Sequence, residues 1–221
     1  IVKAKFLTRE NRFIAHISVN GKEEVCHVKN TGRCRELLIP NAEIYVQTNN
    51  DPKRKTKFSL IAVNKGGRLI NMDSQAPNKA VEEWLKSGGL FSDIVNLKRE
   101  KTFQNSRFDM YFERGGKKCF MEVKGVTLEN DNVVSFPDAP SERAVKHLKE
   151  LQIAHSMGYE TYVLFIVQMS DVKYFEPNAE NHKAFAEELK QAKASGVNIL
   201  AYDCEIEPNS MVIRKPVQVL V

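Results

Sequence analysis

Arg107-Phe108-Asp109-Met110-Tyr111-Phe112-Glu113-Arg114-Gly115-Gly116-Lys117-Lys118-Cys119-Phe120-Met121-Glu122-Val123-Lys124 is the stretch on which the fold turns. Two alternating runs flank a glycine pair, which predicts a β-hairpin with a two-residue turn. Such a turn sets Arg114 opposite Lys117, and the remaining pairs follow from it. Phe108 then meets Val123, Met110 meets Met121 and Phe112 meets Cys119, giving one wholly apolar face. A slip of one residue would mix the two faces, so the pattern specifies the register. The other face pairs Arg107 with Lys124, Asp109 with Glu122, Tyr111 with Phe120 and Glu113 with Lys118.

In this register Asp109 and Glu122 are direct cross-strand neighbours, with Cβ atoms about 4.5–5.5 Å apart. Like charges so placed repel unless something compensates. A hard divalent cation, Mg²⁺ or Mn²⁺, is one compensation, because it takes carboxylate, water and phosphate oxygens. Lys124, two residues beyond Glu122 on the same face, is placed to neutralise a phosphate or to orient water beside such a cation. The alternative is a solvated face on which Asp109 and Glu122 pair with Arg107 and Lys124.

Outward from the hairpin, residues 77–221 alternate helix and strand. Pro77-Asn78 opens a helix that runs through Lys86 and ends at Gly88-Gly89. Ser141 to Met157 and Glu180 to Ser195 read as further helices. Thr161 to Gln168 is a continuous apolar run, as expected of a strand buried on both faces. Val197 to Ile206 and Met211 to Arg214 read as closing strands. This half is an α/β domain built on a mixed sheet flanked by helices. Residues 1–76 differ: five or six short strands are punctuated by Asn20-Gly21, Pro40-Asn41, Asn49-Asn50-Asp51-Pro52 and Gly66-Gly67. So many short strands in one segment predict a small closed β-barrel. The chain is thus an α+β protein of two domains.

Charge divides at the same place. The 221 residues carry a net charge of +5, but residues 1–79 hold 15 Lys and Arg against 7 Asp and Glu, while the rest hold 18 against 21. A cationic barrel beside a weakly anionic domain points to a polyanionic partner. The basic residues cluster in His27-Val28-Lys29-Asn30-Thr31-Gly32-Arg33-Cys34-Arg35 and in Lys53-Arg54-Lys55-Thr56-Lys57. His27, Lys29, Asn30, Arg33, Arg35, Lys53, Arg54, Lys55 and Lys57 are therefore candidate nucleic-acid contacts, since small barrels bind nucleic acid through basic grooves and loops. DNA is the expected partner, with RNA or another polyanion the weaker alternative. Cys26, Cys34, Cys119 and Cys204 form no C-x-x-C pair and read as reduced, packed thiols, which suits the cytoplasm. No apolar run approaches a membrane span, and Lys3, Lys5, Arg9, Glu10 and Arg12 argue against a signal peptide.

A last cluster is Phe136-Pro137-Asp138-Ala139-Pro140-Ser141-Glu142-Arg143, followed by His147. Asp138 or Ser141 is the expected N-cap of the helix that follows. Arg143 and His147, four apart, share one helix face. In a functional reading Asp138 joins the metal ligands, while Arg143 and His147 touch phosphate. In the plainer reading these residues cap a helix and lie on its surface.

Together these segments resemble the sugar fermentation stimulation protein A (SfsA) family over nearly the whole chain. The resemblance is carried by His27 with Asn30-Thr31-Gly32-Arg33, Lys53-Arg54-Lys55-Thr56, Ser106-Arg107-Phe108-Asp109, Met121-Glu122-Val123-Lys124-Gly125-Val126-Thr127-Leu128, and Phe136-Pro137-Asp138-Ala139-Pro140 with Arg143, Lys146, His147 and Leu148. It implies an N-terminal OB-fold barrel and a C-terminal domain like the PD-(D/E)XK nucleases. It implies DNA binding, largely without sequence preference, and a regulatory role in sugar (maltose) metabolism. It sets Asp109, Glu122 and Lys124 at the catalytic positions, with Glu100 as an additional acid. The metal-binding candidates are then Asp109, Glu122 and Asp138. Lys29 and Ala144 depart from the family pattern, which usually has Pro and Gly there. Two functions follow: a DNA-binding regulator whose nuclease-like domain is a scaffold, and, as the alternative, a Mg²⁺-dependent nuclease.

Overall fold

A computed structural model describes residues 1–30 and 32–221; Thr31, within the Asn30–Arg33 motif, lies outside the described residues. The alternating apolar positions of the first strands all turn inward. β1 (Val2–Arg9), β2 (Ile14–Val19) and β3 (Lys22–Val28) form an antiparallel meander. Asn20 and Gly21 turn β2 into β3 with φ of 52° and 81°, the left-handed pair that a tight hairpin turn needs. β4 (Glu43–Thr48) pairs with β1 and with β5 (Phe58–Lys65). β5 then runs parallel to β3 through Cys26–Phe58, His27–Ser59 and Val28–Leu60, which closes a five-stranded barrel. Phe6, Ile17, Cys26, Ile44, Val46 and Leu60 fill it. β6 (Arg68–Asn71) extends the barrel sheet toward the second half of the chain.

There α1 (Ala76–Lys86) begins with Pro77 in its first turn and stops before Gly88, whose φ is 79°. β7 (Val95–Phe103), β8 (Ser106–Arg114) and β9 (Lys117–Val126) follow as an antiparallel run, then the short β10 (Leu128–Asn130) and β11 (Val133–Phe136). α2 (Glu142–Ser156), β12 (Glu160–Val167), β13 (Tyr174–Pro177), α3 (Lys183–Ala194), β14 (Asn198–Glu207), β15 (Ser210–Pro216) and β16 (Gln218–Val219) complete the chain. The main sheet has the order β15-β14-β12-β9-β8-β7, with β9, β12 and β14 parallel. Every residue of β12 but the first is buried, as its unbroken apolar sequence requires.

α1 covers one face of this sheet, where Val81 and Leu85 meet Met110, Phe112, Met121, Leu164 and Ile166. α2 and α3 cover the other, and their apolar cluster continues without a break into the barrel core. Polar contacts tie the two halves: Lys65 Nζ donates to Glu129 Oε2 at 2.6 Å, and Gln168 Nε2 donates to the Asn71 and Asp73 backbone carbonyls. A second small sheet, β10-β11-β13-β16, was not legible in the periodicity because its strands are two to four residues long. The one signal is Asp131-Asn132, both at positive φ, which turn β10 into β11. Ser141, not Asp138, caps α2, its hydroxyl accepting from the Ala144 N–H at 3.2 Å. Residues expected to open α3 from Glu180 form a turn instead, with Asn178 Oδ1 accepting from the Asn181 N–H.

All four cysteines are free and buried, with thiol pKa values pushed up to about 12 chiefly by burial, so they pack as small apolar groups. No helix among the described residues is long and apolar enough to cross a membrane.

Phe165 on β12 is fully buried, stacks on Phe175 at 4.1 Å between ring centroids and packs against Phe136 and Phe185. Phe165→Ala is expected to lower stability by about 3–5 kcal/mol, read as a drop in urea midpoint at unchanged slope. A loss under about 1 kcal/mol would mean that this cluster is not the core described here.

Candidate functional site

The hairpin has the register its sequence specifies over five pairs, from Met110–Met121 to Arg114–Lys117. The pairing stops at Asp109. There the carboxylate replaces the backbone ladder: Oδ2 accepts from the Val123 N–H at 2.8 Å, and Oδ1 from Asn78 Nδ2 of α1 at 2.8 Å. Alternation breaks at this point. Phe108 packs with Phe103, Phe120 and the edge of His147, on the side of Tyr111 rather than that of Met110 and Phe112. Asp109 and Glu122 are therefore not a simple ladder pair. Asp109 is bonded toward α1, Glu122 toward α2.

Glu122 is 3% exposed, which excludes the solvated ion-pair face. Its Oε1 accepts from Lys124 Nζ at 2.6 Å and from His147 Nδ1, while its Oε2 is buried with no partner. Burial alone would raise the Glu122 pKa, but Lys124 and the His147 hydrogen bond outweigh it and hold the carboxyl below its ordinary value. Asp109 goes the other way: burial first, then the nearby Glu122 charge, raise its pKa, with the Val123 N–H, Lys124 and Asn78 offsetting only part. Arg107 pairs instead with Glu100 at 3.3 Å on the exposed β7 edge, and neither residue shares a hydrogen bond with Asp109 or Glu122 among the described residues.

A divalent cation fits this arrangement in two respects. Glu122 offers a buried oxygen with open lone pairs, and Asp109 carries a charge that a cation would relieve. Asp138 does not complete the set. Its Oδ2 accepts from the Cys34 N–H at 3.1 Å, and among the described residues no three His, Cys, Asp or Glu side chains are grouped to hold a metal. Asp138 instead lines a cleft of about 350 Å³ between the barrel and the ends of β9, β11 and β12. Gly32 lets the two approach closely, since a Cβ there would stand 2.6 Å from Asp138 Oδ2 and force that carboxylate to move.

The basic candidates divide sharply. Arg33, Arg35, Lys53, Arg54, Lys55 and Lys57 are exposed. Arg54 is braced by Asn49 Oδ1 at 2.7 Å and lies close enough, with Lys29, to help burial lower the His27 pKa. The shift disfavours a cationic His27, whose Nδ1 is buried without a partner. Lys29 is consumed by Asp73 at 2.7 Å, so the extra charge at this position is not free. Asn30 folds back onto the Gly32 N–H. Arg143 is exposed, but His147 is 4% exposed and meets Glu122 rather than solvent, which corrects its reading as a phosphate contact. Sequence reading missed Arg9, whose guanidinium donates to the carbonyls of Arg12, Asn30, Gly32 and Arg33 and so gathers these residues. It also missed Asn78. No periodicity marks either residue, since both act through contacts distant in sequence.

A family model described as the sugar fermentation stimulation protein RE domain matches residues 75–210, and one described as the SfsA N-terminal OB domain matches residues 7–72. Among curated relatives, a sugar fermentation stimulation protein homolog of Clostridium beijerinckii is 58% identical over 220 residues, covering 100% of this chain and 97% of that protein. A homolog from Desulfitobacterium hafniense is 57% identical over 211 residues, covering 96% of this chain and 92% of its own. The solved structure of Pyrococcus furiosus SfsA in complex with Ca²⁺ superposes with a TM-score of 0.91 at 28% identity, over 99% of this chain and 95% of that one.

The opposite pKa directions of the two carboxyls predict opposite mutant effects in the metal-free protein. Glu122, lowered, adds stability that is present above its unfolded pKa of about 4.3 and lost as pH falls through the folded value. Asp109, raised, costs stability once pH exceeds its unfolded value of about 3.9, and the cost vanishes below it. With EDTA present at pH 7, Glu122→Gln is expected to destabilise by on the order of 3 kcal/mol, because it strands Lys124. Asp109→Asn is expected to stabilise, with the gain shrinking toward pH 4. Urea titrations at both pH values test this, and equal losses for both variants would contradict it.

Proposed function

The chain belongs to the sugar fermentation stimulation protein family, and we propose that it binds DNA, largely without sequence preference, through its barrel, and holds a Mg²⁺ or Mn²⁺ ion at Asp109 and Glu122. The observation that carries the DNA reading is the exposed cationic loop Lys53, Arg54, Lys55 and Lys57, with Arg33 and Arg35 also exposed. These side chains have no carboxylate partner within ion-pair distance among the described residues, whereas Lys29, Lys65 and Arg68 do. Unpaired surface cations exchange counterions for phosphates at little desolvation cost, and that exchange drives sequence-independent binding. The link to sugar (maltose) metabolism rests on family membership, and a cytoplasmic setting on the four free, buried thiols. The Pyrococcus furiosus protein was solved in complex with Ca²⁺, which supports a divalent cation as a ligand of this fold.

A second reading, cleavage of a phosphodiester by a PD-(D/E)XK-like site, is favoured by one feature. A scaffold has no need to set two carboxylates, Asp109 and Glu122, close enough in a buried site for the charge of one to raise the pKa of the other, with Lys124 beside them. Bound at such a site, a divalent cation supplies charge neutralisation at the phosphate and lowers the pKa of water. The protein's own part is then positional. Glu122 presents Oε2, Asp109 is fixed by Val123 and Asn78, and Lys124, held by Glu122, stands beside both acids to stabilise developing negative charge.

Reversing charge at Lys53, Arg54, Lys55 and Lys57 is expected to weaken binding equally across duplex sequences. The slope of log affinity against log salt should fall by about 0.9 for each phosphate that is no longer neutralised. Fluorescence anisotropy at several salt concentrations measures both, and an unchanged slope would remove the loop from the interface. For the second reading, Lys124→Met is expected to reduce Mg²⁺-dependent cleavage of labelled DNA by about 10²-fold or more while DNA affinity changes little. Equal cleavage by both proteins would end the catalytic role of Lys124, and no cleavage by the wild type on any duplex, single-stranded or branched substrate would leave the binder alone.

A further inference from the structure

His147 is the buried polar residue that the DNA reading leaves without a task. It sits on α2 four residues beyond Arg143, on the same helix face. Arg143 Nε donates to His147 Nε2 at 3.4 Å, and His147 Nδ1 bonds to Glu122 Oε1. A guanidinium has only donors, so Nε2 must accept. The imidazole proton therefore lies on Nδ1 and is given to the carboxylate. The Phe108 ring, edge-on at 6.2 Å between centroids, fixes the ring plane from the side.

The consequence falls on Glu122. Oε1 takes donors from both Lys124 and His147, while Oε2 has none. Lys124 alone could not impose this, because it is a point charge on a flexible stem that satisfies either oxygen equally. A planar ring anchored at both nitrogens is directional. We propose that His147 is a positioning residue which, with Arg143 as its anchor, saturates Oε1 of Glu122 so that Oε2 alone faces a divalent cation. The proposal rests on the cation reading above. It also gives Arg143 two tasks, since its Nη1 and Nη2 have no partner among the described residues and stay free for phosphate while Nε holds the histidine.

Outer partners of metal ligands are worth about 10–100-fold in metal affinity. Mn²⁺ titration calorimetry on the full chain should show His147→Gln weakened by that factor. His147→Asn, whose side-chain amide stands where Nδ1 stood, should recover most of the loss. Arg143→Leu alters an exposed residue and should weaken Mn²⁺ binding in the same direction, which keeps the test open if a buried variant does not fold. In metal-free wild type, ¹⁵N NMR should find the His147 proton on Nδ1. Equal, measurable Mn²⁺ affinity in the wild type and all three variants, or a proton on Nε2 instead, overturns this proposal alone. Absence of Mn²⁺ binding by the wild type overturns the cation reading and the positioning role with it.

Discussion

A carboxylate taken out of water must be paired or it will not stay ionised, and Glu122 is the place where this chain meets that requirement. The pairing draws on two elements. β9 supplies Glu122 and, two residues on, Lys124; α2 supplies His147 through the sheet face it covers. The central position of β9, between β8 and β12, buries the site. The helical crossover from β11 to β12 lays α2 across β9 at the height of Glu122. Were α2 displaced, His147 would be withdrawn, and Glu122 would keep only a flexible lysine against the cost of its burial.

Much of this was legible. A two-residue glycine turn and strict alternation specify the Arg114–Lys117 register, because any slip would bury charge. The unbroken apolar run of β12 marks a strand covered on both faces, and the proline and glycine around α1 mark its ends. What failed did so where a side chain replaced a backbone partner. At Asp109 the carboxylate takes the Val123 N–H, so the ladder ends and Phe108 changes face. Alternation makes no provision for such a substitution. His147 was misread for a related reason: helical spacing gives the shared face with Arg143 but not what covers that face. Asp138, an acidic residue near a helix start, looked like a cap and is not one; its Oδ2 accepts from the Cys34 N–H instead.

Formal charge overstates what the barrel offers a polyanion. The excess of basic residues in the first third is partly neutralised within the fold. Lys29 is held by Asp73, Lys65 and Arg68 by Glu129, and Arg9 by four backbone carbonyls. These cations shape loops and fasten the barrel to the second half of the chain. What stays exposed without a carboxylate partner among the described residues is the 53–57 loop with Arg33 and Arg35, together with Lys5 and Arg12. A count from the sequence cannot separate the two populations, because the partners of the first lie far along the chain.

The barrel loop and the acidic site are mechanically continuous. Arg9 gathers the carbonyls of Asn30, Gly32 and Arg33, and the next residue, Cys34, gives its N–H to Asp138. Asp138 lies three residues before Ser141, the N-cap of α2, and Asn181 holds the intervening backbone by donating to the Pro137 and Asp138 carbonyls. α2 then carries Arg143 and His147 to Glu122. Each link is a hydrogen bond or a turn of helix, so movement of the barrel loop acts on the helix that orients the carboxylate. Gly32 allows the close approach at this first contact, since a Cβ there would displace the Asp138 carboxylate. A shift of that loop by more than the slack in one hydrogen bond must be taken up either by breaking the Cys34–Asp138 link or by turning α2 against β9. The first costs one charge-assisted bond, worth about 1.5–3 kcal/mol. The second disturbs the buried pairing of Glu122, worth about 3–5 kcal/mol when a partner is removed. The weaker joint lies at Asp138, where the Asn30–Cys34 loop can shift without unmaking the site, while the shared apolar core and the Lys65–Glu129 and Gln168–Asn71 contacts keep the two halves together.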